Sequence, residues 1–258
     1  MNEQMKILKL LEEGKINAQE AARLLEAIGE SEAGRRRGFI WRGLESIPDM
    51  MATMFDTSFK NFTTQERIET TGKKKIEIKG IGGDIEINGT DESNILINKD
   101  GLAKIIEEGD ILIVKAVSGS VRIDSPKAID IEVRGVSGNL ELNNINGRIE
   151  ISSVSGDIRG KGLSGSLNGE FVSGDVELEY DKVEGIAIKS RSGDVILRID
   201  ESIEAEIEIS SIHGDIGCEL PLKDVTKRHN YLKGILNAPK SKIEIKNNHG
   251  DVVLEKKS

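Results

Sequence analysis

Aromatic side chains supply only 3% of this 258-residue chain, and they are unevenly placed. Trp41 and four of the five Phe (Phe39, Phe55, Phe59 and Phe62) precede residue 63, as do all five Met, leaving Phe171, Tyr180 and Tyr231 for everything beyond. A long segment without aromatics fills its core with small β-branched residues, which suit thin, regular, stacked strands better than a globular core. Sugar-cleaving β-helices, which need aromatic platforms beside their acid/base carboxylates, are therefore a poor match. The lone Cys218 excludes an intramolecular disulfide, and within Ile216-Gly217-Cys218-Glu219-Leu220 it reads as a small hydrophobe on a strand. No stretch reaches eighteen apolar residues, and Met1-Asn2-Glu3-Gln4-Met5-Lys6 opens no apolar h-region. The expectation is a cytoplasmic protein, peripheral to a membrane at most, with neither signal peptide nor transmembrane helix.

Basic charge is also missing where a nucleic-acid surface would need it. The net charge of −9 divides into −3 for residues 1–34 (4 basic, 7 acidic), +4 for 35–75 (9 and 5) and −10 for 76–258 (23 and 33). Phosphate binding requires a basic stripe, and an acidic repeat offers none.

What the chain does have is repetition. An apolar residue, usually Ser, then Gly, a polar residue and another apolar residue recur with Gly at 83, 119, 138, 147, 156, 165, 174, 193, 214 and 250. The gaps are 36, 19, 9, 9, 9, 9, 19, 21 and 36, nearly all one, two or four steps of nine. So short a repeat buries no face alone, so the copies must stack. Between them, Ile76-Glu77-Ile78, Ile149-Glu150-Ile151 and Ile243-Glu244-Ile245 alternate apolar and acidic, one side inward and one wet. The corner motif supplies the bend: Gly83, Gly156, Gly174, Gly193, Gly214 and Gly250 for positive φ, and Asp84, Asp157, Asp175, Asp194, Asp215 and Asp251 to bond local backbone. A mainly β, parallel β-solenoid of about nine rungs follows, each of about 18–20 residues. The two 36-residue gaps are expected to hold altered turns or bulging loops.

Two smaller segments precede it. Residues 1–30 read as an α-helical hairpin: Ile7, Leu8, Leu10 and Leu11 at helical spacing, Gly14 as a stop, then Asn17 as cap with Glu20 three residues on. Ala21, Leu24, Leu25 and Ile28 form the second apolar face, and two short helices bury too little to stand alone. Residues 31–67 form a connector, with Arg35, Arg36, Arg37 and Trp41 followed by an amphipathic helix from Ile47 to Phe62 whose stripe is Ile47, Met50, Met51, Met54 and Phe55. Such a helix either caps the open first rung of the solenoid, which begins near residue 68 and runs to 258, or lies in an anionic membrane surface.

The run from Ile7 to Glu26 resembles the SHOCT-like N-terminal domain of the YvlB/LiaX type of Firmicute proteins. That family joins the hairpin to a C-terminal repeat domain classed with candidate adhesins, whose hallmark is Ser-Gly-Asp turns such as Val154-Ser155-Gly156-Asp157-Ile158 and Val172-Ser173-Gly174-Asp175-Val176. The resemblance implies a role in the cell-envelope stress response and carries over no catalytic residue.

No constellation of residues calls for catalysis, a cofactor or a small-molecule substrate. The Asp row has one carboxylate per turn, where calcium rolls converge several, so turn chemistry accounts for it. Gly162-Leu163-Ser164-Gly165-Ser166 lacks the final Gly of a nucleophile elbow, and Gly80-Ile81-Gly82-Gly83 lacks dinucleotide spacing. His213 and His249 take the Ser place of their turns and, four nine-residue steps apart, should share one edge about two rungs apart, without a metal. The reading is a non-enzymatic protein acting through its hairpin (Ile7, Leu11, Leu24, Leu25) on itself or an envelope-stress regulator, and through Arg35, Arg36, Arg37 and Trp41 on an anionic membrane. The alternative is a self-assembling, bactofilin-like scaffold. Far-UV circular dichroism checks the segmentation: removing residues 1–62 should abolish the helical signal and leave the β signal intact.

Overall fold

The computed structural model describes residues 65–80, 82–135, 137–153 and 155–257. The expected hairpin and connector helix lie outside these residues, and no helix occurs within them. The first strands are β1 (Gln65–Thr71), β2 (Lys75–Gly80), β3 (Asp84–Thr90), β4 (Asn94–Glu108), β5 (Ile111–Pro126) and β6 (Asp130–Gly135). Next come β7 (Leu140–Asn143), β8 (Asn146–Ser153), β9 (Ile158–Phe171), β10 (Val176–Ser192), β11 (Val195–Ile199) and β12 (Ala205–His213). The last are β13 (Ile216–Cys218), β14 (Lys223–Arg228), β15 (Tyr231–Leu236), β16 (Ser241–His249) and β17 (Val252–Lys256).

Alternation decides which side of each strand is buried, because successive side chains leave a strand on opposite faces. Ile76, Ile78, Ile87, Leu142, Ile149, Leu197, Ile207, Ile243 and Leu254 are all fully buried in one continuous cluster. Glutamates and lysines between them point outward. The chain thus coils between two sheet faces with the isoleucine core between.

Each rung lays one segment on the first face and the next on the second. Eight stack in parallel, and their spatial order is 111–126, 75–90, 130–143, 149–161, 167–180, 186–199, 243–256 and 205–218. This order departs from the sequence at both ends. After rung 75–90 the chain runs outward as β4, turns at Gly109 and returns as β5, antiparallel to β4 from Leu96↔Asp124 to Glu108↔Ile111. At the other end rung 205–218 is laid down first, a hairpin of β14 and β15 folds against it, and β16 and β17 slot in behind. The 36-residue gaps are therefore out-and-back hairpins that reverse two rungs. They are neither altered turns nor bulging loops.

The ten motif glycines fall into two corner columns. Eight stack in the order 119, 83, 138, 156, 174, 193, 250, 214, and Gly165 over Gly147 forms the second column. Gly174 shows why the residue type is fixed: φ is +112°, and a Cβ there would sit 2.2 Å from the carbonyl oxygen of Gly156 in the next rung. Both conformation and approach exclude a side chain. Gly174→Ala should cost more than about 3 kcal/mol. Gly109→Ala, at φ +56° but with nothing within 4 Å, should cost about 1–2 kcal/mol. Urea denaturation of the two variants checks the contrast.

Candidate functional site

Beside the first glycine column runs a column of acids. Asp84 Oδ1 accepts the backbone N–H of Asn139 (3.1 Å), Asn139 Oδ1 that of Asp157 (3.1 Å), and Asp157 Oδ1 that of Asp175 (3.2 Å). The ladder continues from Asp175 to Asp194 (2.9 Å), Asp194 to Asp251 (2.8 Å) and Asp251 to Asp215 (2.8 Å). It follows the spatial rung order, crossing from Asp194 to Asp251 and then back to Asp215. Each side chain thus serves the next rung's backbone, rather than its own turn as the motif suggests. The row is chemistry for stacking: one oxygen of each member before the last, Asp215, is committed, and no three His, Cys, Asp or Glu among the described residues are placed to hold a metal ion.

His213 and His249 are exposed, adjacent in register and stacked, ring centroids 4.8 Å apart and planes at 15°. They are one rung apart instead of two, because the residues between them form the β14–β15 hairpin and not a rung. Cys218 is half-buried against the core, and burial pushes its thiol up. Of the three late aromatics, Phe171 and Tyr180 are core residues. Burial raises the Tyr180 phenol, and its hydroxyl finds no hydrogen-bond partner. Tyr231 alone lies at the surface, its hydroxyl 3.3 Å from Glu208 Oε1.

The outward glutamates are paired, some across rungs and some along their own strand, rather than gathered into a site. Burial pushes the Glu132 carboxyl up, but Lys75 and Arg134 on either side outweigh it and hold it below its ordinary value. Arg198 bridges Glu177 and Glu255, which stand on the rungs flanking it. Lys242 (2.8 Å) and Lys246 both donate to Glu244 and drive its carboxyl down to about 2. These pairs neutralise part of the charge on the faces of an acidic solenoid. Two features escaped the sequence reading. One is the destination of the Asp hydrogen bonds, and the other is a group of outward isoleucines on the 111–126 rung, marked by the unbroken apolar run Ile111-Leu112-Ile113-Val114.

Residues 46–255 match the family model described as Toastrack DUF4097. The chain belongs to the Toastrack family. A second model, described as a SHOCT-like domain, matches residues 2–33, ahead of the Toastrack region. Among solved structures, a candidate cell adhesion protein of Clostridium sporogenes is 14% identical, covers 75% of this chain and 100% of its own, and superposes with a TM-score of 0.42. A candidate adhesin of Bacteroides fragilis is 14% identical, covers 75% and 98%, and has a TM-score of 0.34. No curated protein matches the chain. The partner residues Ile7, Leu11, Leu24 and Leu25 and the basic residues Arg35, Arg36, Arg37 and Trp41 lie outside the described part, while all twelve corner residues lie in the Toastrack region. No described helix is long and apolar enough to cross a membrane.

Two outcomes test this Toastrack surface. Asp175→Ala removes the acceptor of the exposed Asp194 N–H and should cost about 0.5–1.5 kcal/mol, whereas Asp175→Asn keeps the acceptor and should cost no more than about 0.5 kcal/mol, by urea unfolding. Folding favours the ionised form of Glu244, so its contribution is full above the ordinary carboxylate range and is lost as pH falls through about 2. Glu244→Gln should therefore flatten the loss of stability between about pH 5 and pH 2, read from unfolding midpoints at each pH.

Proposed function

We propose that this protein is a non-enzymatic interaction protein of the cell-envelope stress response. One observation carries the reading: a SHOCT-like domain precedes a Toastrack domain in one chain. The solenoid supports it, since its corner acids are occupied with backbone N–H groups and its facing glutamates with lysines and arginines. Carboxylates engaged in this way hold a surface in register and do no acid–base work. The hairpin binds its partner, a second hairpin or an envelope-stress regulator, through Ile7, Leu11, Leu24 and Leu25. Arg35, Arg36 and Arg37 with Trp41 hold the chain to an anionic leaflet, and the rod presents the rest at a fixed distance.

The scaffold alternative gains no support. End-to-end growth of a parallel solenoid needs an open parallel rung, yet β4 runs antiparallel outside the 111–126 rung, and β15 runs antiparallel against β12 at the far end. The outermost described strand there, β14, carries Lys223, Lys227 and Arg228 and an irregular register between Lys223 and Thr226, both features that blunt an edge.

Co-sedimentation with phosphatidylglycerol vesicles tests the tether. The full chain should be retained at least about tenfold better than an Arg35→Ala/Arg36→Ala/Arg37→Ala variant, as three surface cations imply, and equal retention would sink it. For the partner, full-length protein should co-purify a regulator from envelope-stressed cells, and a chain lacking residues 1–34 should lose it. If both retain it, the hairpin is not the binding element.

A further inference from the structure

Along the first face the outward positions of the parallel rungs are mostly polar, and the 111–126 rung departs from this with several isoleucines; on the second face Ile196 and Val253 form a separate outward apolar pair. In register along the first face, the outward positions read Ile113, Glu77, Glu132, Glu150, Asn168, Ala187, Glu244 and Glu208 in one column. In the column beside it, Ile111 stands where Lys75, Asp130 and Arg148 follow. Ile106 on β4 lies directly opposite Ile113 and extends the patch. Ile113 is 8% exposed and Val117, at the corner, 6%, yet neither belongs to the inner core cluster. Apolar side chains on the outward side of a sheet need a cover, and the inner core does not supply it.

Next to this patch lie three lysines in register, Lys104, Lys115 and Lys79. Lys79 pairs with Glu77 at 2.9 Å, whereas Lys104 and Lys115 make no ion pair among the described residues. Burial depresses the Lys115 ammonium, with Lys79 and Lys104 adding to the effect. No described strand pairs with the outer edge of Ala103–Glu108: β1 pairs with Asn94–Asp100, its described part beginning at Gln65↔Asp100, just before the corner.

We propose that the segment Glu45–Asp56 of the same chain docks on this patch, laying Ile47, Met50, Met51, Met54 and Phe55 over Ile106, Ile111 and Ile113 and setting Glu45, Asp49 and Asp56 against Lys79, Lys104 and Lys115.

Three observations single out this occupant. The Toastrack match begins at residue 46, so these residues belong to the same family unit as the sheet. The charge is complementary, three acids to three lysines. The reach is sufficient: the nine residue steps from Asp56 to Gln65 span up to about 30 Å, against about 20 Å along β4 from Asp100 to Ile106. The site is the outward face of the end rung, not its open mouth, and it stands independently of the hairpin's partner. Because one apolar stripe cannot lie on the sheet and in lipid together, docking would hold this segment away from a membrane.

Acetylation footprinting of the full chain is the test. Lys104 and Lys115 should label more slowly than Lys242 and Lys246 on the same face, and Met50→Asp/Met54→Asp should speed Lys104 and Lys115 about tenfold or more while leaving Lys242 and Lys246 unchanged. An unchanged rate at Lys104 and Lys115 would overturn the proposal. Carbodiimide cross-linking of the unmutated chain, which does not depend on the variant folding, should join Asp49 or Asp56 to Lys104 or Lys115 within one molecule. Absence of that link overturns the proposal as well. Links only between isotopically distinct chains would assign the patch to a second copy, and slow labelling only with phosphatidylglycerol vesicles would assign it to lipid; either result refutes self-docking.

Discussion

The distance between a corner glycine and the carbonyl of the glycine in the next rung sets the scale of the solenoid. A Cβ at Gly138, Gly156 or Gly250 would lie 2.0–2.4 Å from that oxygen, so the rungs meet at the corner by backbone alone. The Asp or Asn after Gly83, Gly138, Gly156, Gly174, Gly193 and Gly250 then reaches one rung along and accepts a backbone N–H there. Neither device works without the other. Close approach brings the N–H within reach of the carboxylate, and the carboxylate fixes the register at which the glycines meet. The isoleucine core packs inside corners already placed.

Both ends of the stack use the same arrangement. A strand departs from the coil, turns, and returns antiparallel before the chain resumes its parallel course. Sheet edges that would otherwise template growth are thereby occupied or roughened, and the rod has a defined length. The lateral faces meanwhile neutralise their own charge, Glu132 between Lys75 and Arg134 and Arg198 between two glutamates. The 111–126 rung and β4 break this pattern, with Ile106, Ile111 and Ile113 turned outward beside three lysines.

Much of this was legible in the sequence. Alternation in Ile76-Glu77-Ile78 and its counterparts identified the buried side of each strand, and nine-residue spacing of the glycines separated the two corners. Gly138, Gly156 and Gly174 fall in one column, with Gly147 and Gly165 in the other. Rung order was not legible, for a physical reason: 36 residues are two rungs of eighteen, or equally one rung and a long hairpin. Hence His213 and His249 were placed on the right edge but one rung too far apart. The Asp row was seen as a row, but spacing cannot say whether a carboxylate bonds its own turn or its neighbour's. The outward isoleucines were hidden because Ile111-Leu112-Ile113-Val114 reads as a strand buried on both sides.

The reversed order at the far end also decides how the rod bears load. Segment 243–256 is hydrogen-bonded along both flanks on both faces, to 186–199 on one side and 205–218 on the other. Tension applied beyond Lys256 would meet an interior rung, held in shear by parallel ladders, and could not peel an outer strand one bond at a time. A stack built in simple sequence order would present its weakest rung to such a pull. This one presents a wedged rung.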